Sequence, residues 1–127
     1  MNKTIFATGI VFGTAAVLLG AFAAHGLKTV LATDALESFK TGATYQMYHA
    51  IILLVLANTA ISDQRKKVIY WVYTLGIIFF SFSIYLLATS AVSGLNFKSI
   101  AFVTPIGGLL LIIGWVLFGF YYLKENK

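Results

Sequence analysis

Formal charge is confined to short intervals along this chain, and four long runs carry none. No Asp, Glu, Lys or Arg occurs at positions 4–27, 41–62, 68–97 or 99–123, runs of 24, 22, 30 and 25 residues in a chain of 127. A helix rises 1.5 Å per residue, so about 20 apolar residues cross the roughly 30 Å of hydrocarbon in a bilayer. Each run is long enough. The pattern predicts an all-α, integral membrane four-helix bundle, a single transmembrane domain over residues 1–127 with spans at approximately 4–25, 41–61, 68–90 and 100–123. The first run follows Lys3 and contains Ala21-Phe22-Ala23, features of a secretory leader with its cleavage site. Its apolar stretch from Thr4 to Ala24 is long for a leader core, so it is expected to remain as the first span.

Between the first two spans, Thr33-Asp34-Ala35-Leu36-Glu37 offers Asp34 as an N-cap with Glu37 three residues on. This predicts a short interfacial helix, with Leu36, Phe39 and Ala43 toward lipid, running into span 2 near Thr41-Gly42. Small residues recur at helical spacing: Gly9, Gly13, Ala16 and Gly20 in span 1, Ala43, Ala50 and Ala57 in span 2, Gly107, Gly108 and Gly114 in span 4. Such stripes let helix backbones approach where lipid supplies no hydrophobic drive. Packing inside the bundle and a homo-oligomer are both expected from them.

Composition agrees with a membrane chain: 60% hydrophobic and 10% charged residues, with a mean hydropathy of +0.91. A soluble domain has about 45–50% and about 25%. The net charge of +5 raises the question of nucleic acid, but the basic residues flank spans, where lipid head groups and topology account for them. No nucleic-acid partner is expected. With four spans, Lys3, Arg65, Lys66, Lys67, Lys124 and Lys127 share one side, and Lys28, Lys40 and Lys98 the other. The positive-inside rule then makes both termini cytoplasmic. Tyr70, Trp71 and Tyr73 would join Tyr121 and Tyr122 in an aromatic belt at that face. The absence of cysteine excludes disulfides, thiol nucleophiles and Cys-ligated metals.

Phosphate loops, Rossmann glycines, paired carboxylates, Gly-x-Ser-x-Gly and HExxH are all missing. No charged residue inside a span could couple protons or ions, which argues against a proton-driven pump. No catalytic residue is assigned. The informative polar residues are His25, Tyr45, Gln46, His49, Ser83 and Thr104, which helical rise places in one leaflet. Gln46 and His49 stand at i and i+3, with Gly42 and Tyr45 on the same side. Three readings remain open. The residues bond across helices to hydroxyls such as Ser83 or to carbonyls near Pro105; they form an outward-facing pocket for a lipid, a quinone or another amphiphile; or His25 and His49 ligate a metal or haem. The last meets an obstacle, because the two histidines differ in depth by roughly 12 Å. In Thr104-Pro105-Ile106-Gly107-Gly108, Pro105 either opens span 4, where its missing N–H costs nothing, or bends a helix that begins at Ser99.

Gly20-Ala21-Phe22-Ala23-Ala24-His25-Gly26-Leu27, Thr41-Gly42-Ala43-Thr44-Tyr45-Gln46-Met47-Tyr48-His49, Thr104-Pro105-Ile106-Gly107-Gly108 and Gly114-Trp115 occur in this order. In these segments the chain resembles the domain of unknown function 423 family of small bacterial membrane proteins, and the resemblance covers essentially its whole length. Members usually read Gly-Ala-His where this chain has Ala23-Ala24-His25, which removes one glycine from a tight helix end. The resemblance implies a four-span, multi-pass protein of the bacterial plasma membrane and no established activity. Its motifs fall on His25, Gly26, Thr41, Gly42, Tyr45, Gln46, Tyr48, His49, Thr104, Pro105, Gly107 and Gly108.

The reading adopted is a non-enzymatic membrane protein without cofactor, supporting membrane integrity or a membrane complex with lipids, copies of itself or another membrane protein as partners. The alternatives are a lipid-, quinone- or haem-binding protein with an outer-leaflet pocket around His49 and Gln46, and a small-solute transporter or channel.

Overall fold

Where side chains are apolar on every side, backbone N–H and C=O groups must be satisfied within their own segment, and the chain responds by forming helices. The computed structural model describes residues 1–96 and 98–126. Phe97, which ends the third charge-free run, and Lys127, counted among the six basic residues of one face, lie outside the described residues. The elements are α1 (Lys3–Ala24), α2 (Thr33–Ala57), α3 (Asp63–Ile77), a π-turn (Ile78–Phe82), α4 (Ser83–Ala88), α5 (Ser90–Ser93), a 3-10 turn (Lys98–Ile100) and α6 (Val103–Glu125). No strand occurs among the described residues.

Three helical stretches are long and apolar enough to cross a membrane: Lys3–Ala24, Asp63–Ala88 and Lys98–Glu125. The expected fourth, α2, has 25 residues, but Tyr45, Gln46, Tyr48 and His49 make it more polar than the others. Of these, Gln46 and His49 are buried against neighbouring helices, whereas Tyr45 and Tyr48 are exposed. Nine residues of α2 are buried, against four in α1 and three in α6.

The short interfacial helix predicted before span 2 does not exist as a separate element. Helix α2 runs unbroken from Thr33, with Ala32 rather than Asp34 at the N-cap. The Asp34 carboxylate instead accepts from the Ala35 N–H. Phe39 and Ala43, expected to face lipid, point inward; Phe39 packs with Ala23, Leu27 and Ala88 in a small core. Nothing between Lys40 and Gly42 breaks the helix, so the apolar face of this segment follows the rest of α2 onto its neighbours.

Helix α1 packs along α2, while α6 packs on α3 and the π-turn. The stretch from α3 to α4 lies between and touches both α2 and α6. The main core joins Ile5, Leu53, Leu56, Ile69, Tyr73 and Leu111, among others. Tyr73 is 0% exposed, so it belongs to this core and not to the interfacial belt. Its ring is held between α2 and α6, edge-on to Trp115 and tilted against His49.

The start of α1, the end of α6 and the α2–α3 turn lie at one end of the molecule. The Asn2 N–H donates to the Ala57 carbonyl at 3.0 Å, and the Asn2 side chain caps α1 by accepting from the Ile5 N–H at 3.1 Å. Glu125 accepts from the Ser62 N–H and from Arg65, each at 2.9 Å. Lys66, counted among the basic residues of one face, is only 4% exposed, and its ammonium donates to the Ala57 carbonyl at 3.2 Å. That places a positive charge against the C-terminal end of α2, where the helix dipole favours it.

Candidate functional site

The polar residues chosen from the sequence do not form one cluster. All but His25 resolve into three hydrogen-bonded pairs, each tying a different set of helices.

The first pair is centred on Gln46, which is 0% exposed on α2. Its amide nitrogen donates to the Phe12 carbonyl of α1 at 2.8 Å. Its amide oxygen accepts from the Tyr85 hydroxyl of α4 at 2.7 Å. A carbonyl on one side and a phenol on the other fix which way the amide points. Gly42 makes this possible, since a Cβ there would stand 2.8 Å from the Tyr85 ring. The glycine is the hollow through which Tyr85 reaches Gln46.

The second pair joins α2 to α6. The indole N–H of Trp115 donates to His49 Nε2 at 3.0 Å, and His49 Nδ1 lies 2.6 Å from the Tyr45 carbonyl. An indole can only donate and a carbonyl can only accept. His49 is therefore the neutral tautomer with its proton on Nδ1, and both ring nitrogens are occupied. His25 caps the C-terminal end of α1 and is exposed. Ala23 packs with Phe39, ten residues before His49, so the two histidines stand about 15 Å apart along the bundle. Among the described residues no three His, Asp or Glu side chains come together as metal ligands would.

The third pair joins α4 to α6 through Ser83 and Thr104, 2.6 Å apart. Ser83 donates to carbonyls of Phe79 and Phe80 in the π-turn, so Thr104 must donate to Ser83. A π-turn shifts hydrogen bonding to i→i+5 and leaves carbonyls seeking partners. Ser83 meets that need, while Ser81 donates to the Gly42 carbonyl at 2.8 Å. Ser83 thus bonds neither Gln46 nor His49, the partners anticipated for it. Pro105 falls in the first turn of α6, which begins at Val103 after the separate 3-10 turn. At this third helical position the N–H it lacks would have had no intrahelical acceptor, so the proline costs the helix no bond. The residue after next, Gly107, crosses the π-turn so closely that a Cβ would stand 2.2 Å from the Phe80 nitrogen.

Beside these pairs, α2 and α6 stay apart along a furrow of about 1000 Å³. Tyr45, Tyr48, His49, Phe80, Pro105 and Trp115 are among its walls. Tyr45 stacks obliquely on Phe80 and on Tyr48, with ring centroids 5.2 and 5.7 Å apart. Both tyrosines are exposed to the furrow, and no carboxylate, lysine or arginine lines it among the described residues. Smaller hollows continue it: one shares Pro105 and reaches Asp34 and Ser38, the other shares Ile51 and reaches Asn58 and Tyr122. Tyr85, Phe80 and Ser81 escaped the sequence reading, and Trp115 entered it only through the Gly114-Trp115 motif. Their signal is faint: one tyrosine, one phenylalanine, one serine and one tryptophan among apolar neighbours.

Comparison with known proteins adds a family and no activity. The family model described as protein of unknown function (DUF423) matches residues 19–108. The UPF0382 membrane protein of Haemophilus influenzae is 44% identical over 103 residues, covering 79% of this chain and 77% of its own. The UPF0382 membrane protein YwdK of Bacillus subtilis is 35% identical, with 91% and 92% covered. The UPF0382 inner membrane protein YgdD of Escherichia coli is 36% identical, with 80% and 75% covered. No solved structure matches.

Proposed function

The chain belongs to the DUF423 family, and on that premise we propose that it is a four-span protein of the bacterial plasma membrane that holds a lipid-soluble ligand between α2 and α6 without transforming it. One observation carries this reading: the furrow of about 1000 Å³ between two helices that elsewhere in a small bundle would pack. Ligand sites usually enclose about 300–1,000 Å³, walled by apolar and aromatic groups with few polar ones. Here the rings of Tyr45, Tyr48, Phe80 and Trp115 offer faces for a planar group, and two phenols can donate to its carbonyls. The lack of ionised groups suits a neutral ligand. A planar, carbonyl-bearing ring on an apolar tail, the chemistry of an isoprenoid quinone, meets these terms. Haem is a weaker match, because Trp115 already occupies the lone pair of His49 that would bind iron.

Trp71 and Trp115 are the two tryptophans, so W71F leaves Trp115 as the sole reporter. Decylubiquinone added to W71F in mild detergent is expected to quench Trp115 emission saturably. Gly108→Leu fills the furrow without a backbone clash, since its Cβ would lie 3.6 Å from the Phe80 ring. It is expected to weaken binding at least tenfold, about 1.4 kcal/mol. Linear quenching, equal in both proteins, would overturn the reading.

The topology proposed with it has both termini cytoplasmic, α2 completing the fourth crossing behind its polar residues. Without native cysteine, single cysteines map it directly. Asn96→Cys is expected to react with a membrane-impermeant maleimide in intact cells, and Lys67→Cys only after permeabilisation. The reverse pattern would invert the chain.

A further inference from the structure

The seam between α1 and α2 is closed at one point and open at another. At Gly9 the helices touch, and a Cβ there would stand 2.9 Å from the Ala50 carbonyl oxygen. At Gly20 a Cβ would meet nothing within 4 Å. A hollow of about 370 Å³ runs from Gly20, Lys40 and Thr44 to Met47. A second, of about 260 Å³, shares Met47 and continues past Gly13 to Gly9 and Leu54. Together they make one groove on the opposite side of Tyr48 from the furrow described above, since Tyr48 lines both.

The groove has a charged rim and an apolar length. Among the described residues Lys40 is the one charged group lining it. Lys40 is exposed and unpaired; the one ion pair among the described residues joins Arg65 and Glu125 at the far end. Lys40 also marks where the second charge-free run begins, the level at which head groups meet hydrocarbon. From Lys40 to Ala50 and Leu54, where the helices close on Gly9, is about 15–21 Å of helix, half to two-thirds of a hydrocarbon core about 30 Å thick. A cation at head-group height above a slot at least one leaflet deep matches a phosphate with a single acyl chain beneath it. Met47, whose unbranched thioether adapts to irregular partners, sits where the two hollows join.

We propose that this α1–α2 groove is a specific site for an anionic phospholipid of the Lys40-side leaflet, its phosphate on the Lys40 ammonium and one chain along Gly20, Ala16 and Gly13. The site is independent of the ligand assigned to the α2–α6 furrow. Its test is native mass spectrometry of the full chain, extracted in mild detergent from vesicles of equal phosphatidylglycerol and phosphatidylcholine. The wild type is expected to retain one phospholipid per chain, with phosphatidylglycerol preferred roughly fivefold, the effect of one lysine near a membrane surface. Lys40→Gln removes the charge, keeps two of the four stem methylenes, and is expected to bring the ratio to about one. Gly20→Leu fills open space and is expected to remove the retained lipid, whereas Gly108→Leu leaves both count and ratio unchanged. Equal retention of the two lipids by the wild type, a preference that survives Lys40→Gln, or loss of the lipid in Gly108→Leu would each overturn the proposal.

Discussion

Gly107→Ala is expected to destroy the packed structure, while Gly108→Ala leaves it nearly untouched. The added methyl at Gly107 would stand 2.2 Å from the Phe80 nitrogen and 2.6 Å from the Phe79 carbonyl carbon, both backbone atoms of the π-turn. No side chain can swing away to relieve that contact. Either α6 lifts from the π-turn, breaking the Ser83–Thr104 bond, or the π-turn itself rearranges. Overpacking usually costs about 1–3 kcal/mol, and a clash between two backbones belongs at or beyond the upper end. At Gly108 the same atom would rest 3.6 Å from the Phe80 ring, an ordinary contact, so a change within about 0.5 kcal/mol is expected. Thermal unfolding in detergent, read by circular dichroism and size exclusion, separates the two. Similar melting of both variants would show that α6 does not cross the π-turn at Gly107.

Gln46→Leu should be the costliest change to a polar side chain. It removes the bond to Phe12 and leaves the Tyr85 hydroxyl without its acceptor. Tyr85→Phe leaves the amide oxygen bare in turn. A buried group deprived of its partner costs about 1–3 kcal/mol, although hydrogen bonds between membrane helices average nearer 0.6 kcal/mol and reach about 1.7. Each single variant is expected to lose about 1–2 kcal/mol against unfolding by SDS. The double variant should lose less than the sum, by about 0.6–1.7 kcal/mol, because it leaves neither group stranded. Strict additivity would mean that the two side chains do not meet. Gln46 does not line the furrow, so quinone binding to Gln46→Leu is expected to persist in whatever fraction remains folded.

These residues also show where sequence reasoning stops. The charge-free runs make α1, α3–α4 and α6 legible, because length and hydropathy alone decide whether a helix can cross a bilayer. In α2 the charge-free run shows only the part beyond Lys40, while the helix is continuous from Thr33. Asp34 and Glu37 resemble a helix start, yet the helix begins at Thr33 and continues through Gly42, whose missing side chain leaves the space that Tyr85 fills. Selecting Gln46, His49, Ser83 and Thr104 needed only their polarity and depth. Pairing them needed the rotational phase of each helix, and spans that are apolar all round carry almost no record of phase. The π-turn adds a hidden offset to that phase. Tyr85 and Trp115 were therefore invisible as partners, and Ser83 was matched to the wrong ones.

The π-turn also sets how this protein can change in length. It holds one residue more than a regular helix through the same stretch would need. Deleting one of residues 78–82 would let the third helical stretch run as an ordinary α-helix of nearly the same length and rotation, because the wider turn absorbs the surplus residue. Ser83 and Tyr85 would stay close to Thr104 and Gln46. A deletion in a regular part of the stretch has no such slack and turns everything beyond it by about 100°. The π-turn is the one place where this span can lose a residue and keep its neighbours.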